Sequence, residues 1–136
     1  MLALGKRYAD EIVAHAWEEN PAECCGILAG VNGSVSKLYR ITNIEQSPFR
    51  YVMDPKEQLN AMLESERNGL EFIAFYHSHT HSPAYPSQTD VRMALQSGYL
   101  DEYYLLVSLE NKDSPPIRAF KIGQNGNITE DDLTII

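Results

Sequence analysis

The sequence predicts an α/β fold in which a mixed β-sheet is flanked by helices. Three observations carry that prediction. Segments with helical apolar spacing and explicit start and stop signals alternate with short strand-like runs. A near-continuous apolar stretch, Leu70 to Tyr76, fits a central strand buried on both faces. Turn-forming pairs such as Asn32-Gly33 separate the remaining apolar runs.

Lys6 to Glu19 reads as an amphipathic helix with Tyr8, Ile12, Val13 and Ala16 on one stripe, and Pro21 follows its end. Cys25 to Val31 and Ser34 to Ile41 form strands of a hairpin turned by Asn32-Gly33. A short strand is expected around Tyr51 and Val52. Asp54-Pro55-Lys56-Glu57 then gives an N-cap, a first-turn proline and an acidic residue three positions after the cap. The helix it starts has Leu59, Met62 and Leu63 as its apolar face and ends at Gly69. After the Leu70 strand and a proline-containing loop, Ser87-Gln88-Thr89-Asp90 opens a third helix that runs to about Ser97-Gly98. Tyr103 to Leu109, Pro116 to Ile122 and Ile128 to Ile136 complete the strands, joined through Asn111 to Ser114 and Gly123 to Asn127.

At 136 residues the chain reads as one domain, residues 1–136. A net charge of −8 argues against nucleic acid or an anionic membrane as partner, since both are held by clustered Lys and Arg. No apolar run approaches the ~20 residues that span a bilayer. The first residues lack a signal-peptide pattern. The two cysteines, Cys24 and Cys25, are adjacent. Disulfide geometry is hard to reach across one peptide bond, so they read as small buried residues. The expected location is the cytoplasm.

The chemistry concentrates in His77 to Asp90. In a strand, residues i and i+2 share a face about 6.5 Å apart, so His77 and His79 can lean toward one ion while Ser78 points away. His81 is a poor third ligand, because an extended i, i+2, i+4 series spans about 13 Å. Asp90, in the first turn of a helix, is better placed, and the helix dipole favours its charge. Ser87-x-x-Asp90 is also a capping-box pattern that needs no metal, and on local grounds that structural reading is the stronger. Joined to the two histidines, the pattern reads as a ligand set. Two His and one carboxylate leave a fourth zinc position for water, which is the arrangement of a catalytic site. Deaminase, zincin, Walker, dinucleotide-binding and serine-elbow motifs are all missing from the sequence.

His77-x-His79, seven residues, Ser87, two residues and Asp90 resembles the signature of the JAMM (MPN-plus) metalloprotease family. Pro21-Ala22-Glu23-Cys24-Cys25-Gly26-Ile27-Leu28-Ala29-Gly30 resembles the family's upstream element, a Glu before a Cys-Gly and an apolar strand. Ile41 to Asn43, Tyr51 to Pro55 and Leu105 to Leu109 extend the likeness over nearly the whole chain. Within the family the compact layout is most similar to the bacterial CysO-cysteine peptidase branch.

That resemblance implies a cytidine-deaminase-like layered α/β architecture and one Zn2+ per chain, held by His77, His79 and Asp90. It implies that bound zinc lowers the pKa of its water from about 16 toward 7. It makes Glu23 the general base and then acid, and Ser87 the hydrogen-bond donor to the oxyanion. The implied partner is a small ubiquitin-like or sulfur-carrier protein cleaved after its C-terminal Gly-Gly tail. His81 is expected to be a loop residue near the site, and His15 and His81 cannot complete a second closed zinc site. Gly98 to Glu102 is a short link where chain-specific deubiquitinases of the family carry insertions. Two other functions fit the same residues: a non-catalytic, zinc-stabilised binding module for such carriers, and a small-peptide or amide hydrolase.

Overall fold

The computed structural model describes residues 1–136. Its centre is an eight-stranded mixed sheet with three helices packed on it. In chain order the elements are β1 (Leu2–Leu4), α1 (Lys6–Glu19), β2 (Cys25–Val31), β3 (Ser34–Ile41), α2 (Pro55–Arg67), β4 (Glu71–His79), α3 (Gln88–Ser97), β5 (Tyr103–Ser108), β6 (Ile117–Ile122), β7 (Ile128–Asp131) and β8 (Leu133–Ile135).

The strand order is β7-β6-β5-β4-β2-β3-β1-β8, so β4 lies in the interior of the sheet. It pairs antiparallel with β2 and parallel with β5. A parallel pair needs a crossover, and α3 supplies it. The crossover returns from the carboxyl end of β4, so the first turn of α3 arrives beside His79.

The period of two along β4 sorts its side chains between two cores. Tyr76 joins the α1 side with Leu4, Ile12, Leu28, Leu105 and Val107. Phe75 joins the opposite side with Ile27, Ile41, Ala61, Ala94 and Tyr104. His77 and His79 are in phase with Phe75 and so belong to the face covered by α2 and α3. Ser78 follows Tyr76 to the α1 face, as the alternation requires.

Most elements lie where the sequence places them. The β2–β3 turn has positive φ at both Asn32 (52°) and Gly33 (76°), the backbone that Asn-Gly pairs favour in tight hairpins. α1 buries Tyr8, Ala9, Ile12, His15 and Ala16. His15 is a core histidine: Nδ1 lies 2.7 Å from the Tyr76 hydroxyl, and burial pushes its pKa down to about 4. Both cysteines are free and buried, and burial pushes the Cys24 thiol up to about 12.

Four expectations are corrected. The strand around Tyr51 and Val52 is only an isolated bridge, Asn43 to Met53, because the Asn43 side chain takes the Arg50 carbonyl and the Val52 N–H that a longer ladder would use. Helix α2 packs through Ala61 and Ser65, leaving Leu59 and Leu63 49% and 45% exposed. Small residues let the helix approach the sheet closely, which rotates the expected apolar face outward. Asp54 does cap α2, but Glu57 does not complete the box. Its carboxylate accepts from the Thr42 backbone and hydroxyl, each at 2.8 Å, and ties the helix to the end of β3. The last strand divides at Asp132 into β7, on one edge of the sheet, and β8, on the other. The two outer strands are one residue apart in the chain, so the sheet curls until its edges meet. Short β1, which the sequence reading did not anticipate, makes that closure by pairing with both β8 and β3.

Gly26, opposite Tyr76 in the β2–β4 ladder, has no room for a side chain: a Cβ there would lie 2.1 Å from a Tyr76 ring carbon. Gly26→Ala is therefore expected to lower unfolding free energy by about 1–3 kcal/mol through overpacking. Urea unfolding checks this, and an unchanged midpoint would contradict it.

Candidate active site

Three elements meet at the carboxyl end of β4. The strand presents His77 and His79 on one face, and α3 presents Asp90 from its first turn. His77 Nε2 and His79 Nε2 lie 3.2 Å apart. The same carboxylate oxygen, Asp90 Oδ2, lies 3.1 Å from the first and 3.0 Å from the second. All three residues are buried, and they are the group of His, Cys, Asp and Glu side chains whose ligand atoms converge within 4.8 Å of one another.

The fit to a metal ion can be judged from these separations. Tetrahedral zinc with bonds of 2.0–2.1 Å separates its ligand atoms by about 3.3 Å. The observed 3.0–3.2 Å lies within a few tenths of that spacing. The tautomer fits as well. His79 Nδ1 lies 2.8 Å from the Pro83 carbonyl, which can only accept, so Nδ1 carries a proton and Nε2 is the nitrogen left to ligate an ion in place of the proton it shares with Asp90. Ser108 supports that loop by donating to the Ser82 carbonyl at 2.7 Å. His77 Nδ1 is buried with no protein group in hydrogen-bond reach.

The capping box and the ligand set coexist. Ser87 Oγ accepts from the Asp90 backbone N–H at 3.0 Å, and Asp90 Oδ2 accepts from the Ser87 N–H at 2.9 Å. The cap thus aims the carboxylate at the histidines. Because Ser87 Oγ is used as an acceptor, its own proton is free to donate outward. Burial alone would raise the Asp90 pKa. The His77 charge, hydrogen bonds from both imidazoles and the Ser87 N–H outweigh it and hold the carboxyl well below the usual range.

Glu23 precedes β2 by two residues, in phase with Cys25, whose register partner on β4 is His77. It is 3% exposed, and its Oε1 has no hydrogen-bond partner. Burial raises its pKa to about 7, opposed by the positive influence of His77 and His79 and assisted by the charge on Asp90. A carboxyl poised near neutrality beside a metal-ligand set can both take and give a proton. His81 stays outside the cluster: it is exposed, its ring is tilted 40° to that of Phe49 with centroids 6.3 Å apart, and it touches the Thr80 hydroxyl.

Three supporting residues escaped the sequence reading as functional. Ser78 Oγ accepts from the Cys24 N–H at 2.8 Å, stitching the segment after Glu23 to β4 from the opposite face. Asn43 uses its whole side chain. Nδ2 donates to the Glu23 and Arg50 carbonyls at 3.0 and 3.1 Å, while Oδ1 accepts from the Glu45 and Val52 N–H groups at 3.1 and 3.0 Å. Tyr51, between Arg50 and Val52, places its ring 4.5 Å from that of His77. For the first, strand alternation was the only available signal; the other two depend on contacts that local sequence does not encode.

A family model for prokaryotic homologs of the JAB domain matches residues 5–123. The chain is 35% identical over 138 residues to the CysO-cysteine peptidase of Mycobacterium tuberculosis, covering 100% of this chain and 92% of that one. It is 34% identical over 118 residues to a desampylase of Haloferax volcanii, covering 82% of this chain and 83% of that one. Among solved structures, a JAB1/MPN domain protein from Archaeoglobus fulgidus superposes with a TM-score of 0.65 at 15% identity. That match covers 100% of this chain and 98% of the other, and it shows the shared fold.

Glu23 also yields a stability prediction for the metal-free protein. Its folded pKa of about 7 exceeds the ordinary 4.5, so between those values the folded state binds more protons than the unfolded. Stability then falls as pH rises from 4.5 to 7, and the full cost, on the order of 3 kcal/mol, applies above 7. Glu23→Gln removes that cost. It should stabilise the chelated protein at pH 8 by up to about 3 kcal/mol and far less at pH 5. Denaturant unfolding at the two pH values checks this; equal effects at both would contradict it.

Proposed function

The chain belongs to the family of prokaryotic homologs of the JAB domain, and on that premise we propose that it is a zinc-dependent metallopeptidase or isopeptidase. Its substrate is a small ubiquitin-like or sulfur-carrier protein, hydrolysed after the C-terminal Gly-Gly tail. The observation that carries this reading is the convergence of His77, His79 and Asp90 within 4.8 Å, with the buried Glu23 carboxyl on the neighbouring segment leaving its Oε1 without a hydrogen-bond partner. The 35% identity to a CysO-cysteine peptidase across the whole chain supports a carrier protein as substrate.

His77, His79 and Asp90 would hold one zinc ion per chain. Bound there, zinc would supply Lewis acidity, which lowers the pKa of water from about 16 toward 7 and polarises a carbonyl. Glu23 accepts the proton of the attacking water on its carboxylate and delivers it to the nitrogen of the leaving amine. Ser87 donates a hydrogen bond from its hydroxyl to the oxyanion that develops on the carbonyl oxygen, a contact worth roughly 3 kcal/mol. Asn43 and Ser78 hold the backbone of the Glu23–Cys24 segment in place.

Glu23 favours catalysis over a zinc-stabilised binding role. A closed structural site needs four protein ligands, whereas this one offers three together with a proton acceptor beside them. Residues 1–136 act as one catalytic unit. No helix is long and apolar enough to cross a membrane. Two free buried thiols fit a reducing compartment, and the cytoplasm is the proposed location.

Two predictions follow from these roles. A carrier bearing an amino acid beyond its Gly-Gly tail should lose that residue's mass on incubation with the zinc-loaded protein, and chelator should block the change. Unaltered adduct mass, with tight carrier binding, would point to the binding module instead. Glu23→Gln should bind zinc as the parent does while hydrolysis falls by several orders of magnitude; retained hydrolysis would remove Glu23 from its role.

A further inference from the structure

We propose that Tyr51 is a positioning residue for His77, its ring face doing for this ligand what a hydrogen bond does for the other two. The proposal rests on the reading of His77 as a metal ligand. A ligating imidazole ordinarily has its second nitrogen bonded to a carboxylate or carbonyl, which fixes ring orientation. His79 has that bond, to Pro83, and Asp90 is fixed by the Ser87 N–H. His77 Nδ1 has no protein partner. In its place, Tyr51 lies over the imidazole with centroids 4.5 Å apart and planes 32° from parallel. This contact is closer and flatter than the one between His77 and His79, at 5.0 Å and 64°. Rotation of the imidazole about its Cβ–Cγ bond would drive its edge into the phenol.

Tyr51 can serve as a wall because it is itself held from both sides. Its neighbours in the chain are bound to Asn43, through the Arg50 carbonyl and the Val52 N–H, and the Val52 carbonyl accepts from the Ile44 N–H at 3.0 Å. Tyr51 also lines a cavity of about 170 Å³ together with Met53, Phe75 and Tyr104. Asn43 therefore serves two groups at once, the Glu23 carbonyl and the segment that carries the Tyr51 ring.

The test measures zinc affinity of the full chain by competition with a chelator, alongside imidazole NMR of the zinc-loaded protein. Tyr51→Phe keeps the ring and should bind zinc within about twofold of the parent. Tyr51→Leu should bind about tenfold or more weakly, the loss typical when a ligand's outer support is removed. Its His77 Nδ1–H signal should exchange faster, while that of His79 is unchanged. Phe75→Leu alters the same cavity and serves as the control for general loosening: it should lose thermal stability and keep zinc affinity. If Tyr51→Leu does not fold, Tyr51→Met, of similar volume and without a ring, gives the same comparison. Parent-like affinity in the ringless variant, or an equal loss in Phe75→Leu, would overturn the proposal. Parent-like affinity in His77→Ala would instead overturn the ligand reading beneath it.

Discussion

A single carboxylate oxygen, Asp90 Oδ2, ties together the parts on which the site depends. It lies 3.0–3.1 Å from both imidazoles on β4 and accepts from the N–H at the start of α3. Strand and crossover helix are thereby locked at the point where the chain leaves the sheet. A buried carboxylate is costly unless paired and hydrogen-bonded, and here the partners are the groups that would share an ion with it. Helix cap and proposed ligand set are thus one arrangement seen from two sides.

The buried carboxyl proposed to handle protons is built on different elements. Glu23 comes from the segment that leads into β2, the strand next to β4, and its neighbourhood is fastened by Ser78 from one face and by Asn43 from the loop after β3. These bonds engage the backbone of the Glu23–Cys24 segment and leave Glu23 Oε1 without a partner. Desolvation then raises its pKa toward neutrality. The strain of an unpartnered buried carboxyl is the kind of local cost that functional sites retain while the surrounding fold over-determines their position.

The sequence made the architecture legible wherever one periodicity or cap dominated. α1, the β2–β3 hairpin, β4 and the capped start of α3 lie as expected, because apolar period, Asn-Gly and Ser-x-x-Asp are local signals. α2 was read on the wrong face, since Leu59 and Leu63 look like core residues until Ala61 is seen to permit closer packing. β1 is too short to show a period, and the break at Asp132 answers to sheet closure. The ligand candidates were readable from spacing, and the structure brings those three together. Glu23 was found only through the family pattern: one acidic residue among 19 carries no local mark. Asn43 and Tyr51 matter through partners that tertiary structure alone supplies.

The central claim is that His77, His79 and Asp90 hold one ion next to Glu23. Anomalous diffraction at the zinc absorption edge, from crystals of zinc-loaded protein, tests it most directly. The account predicts one strong peak per chain, about 2.0–2.2 Å from His77 Nε2, His79 Nε2 and Asp90 Oδ2. A peak ligated by His81, or none at these three atoms in fully loaded protein, would contradict it.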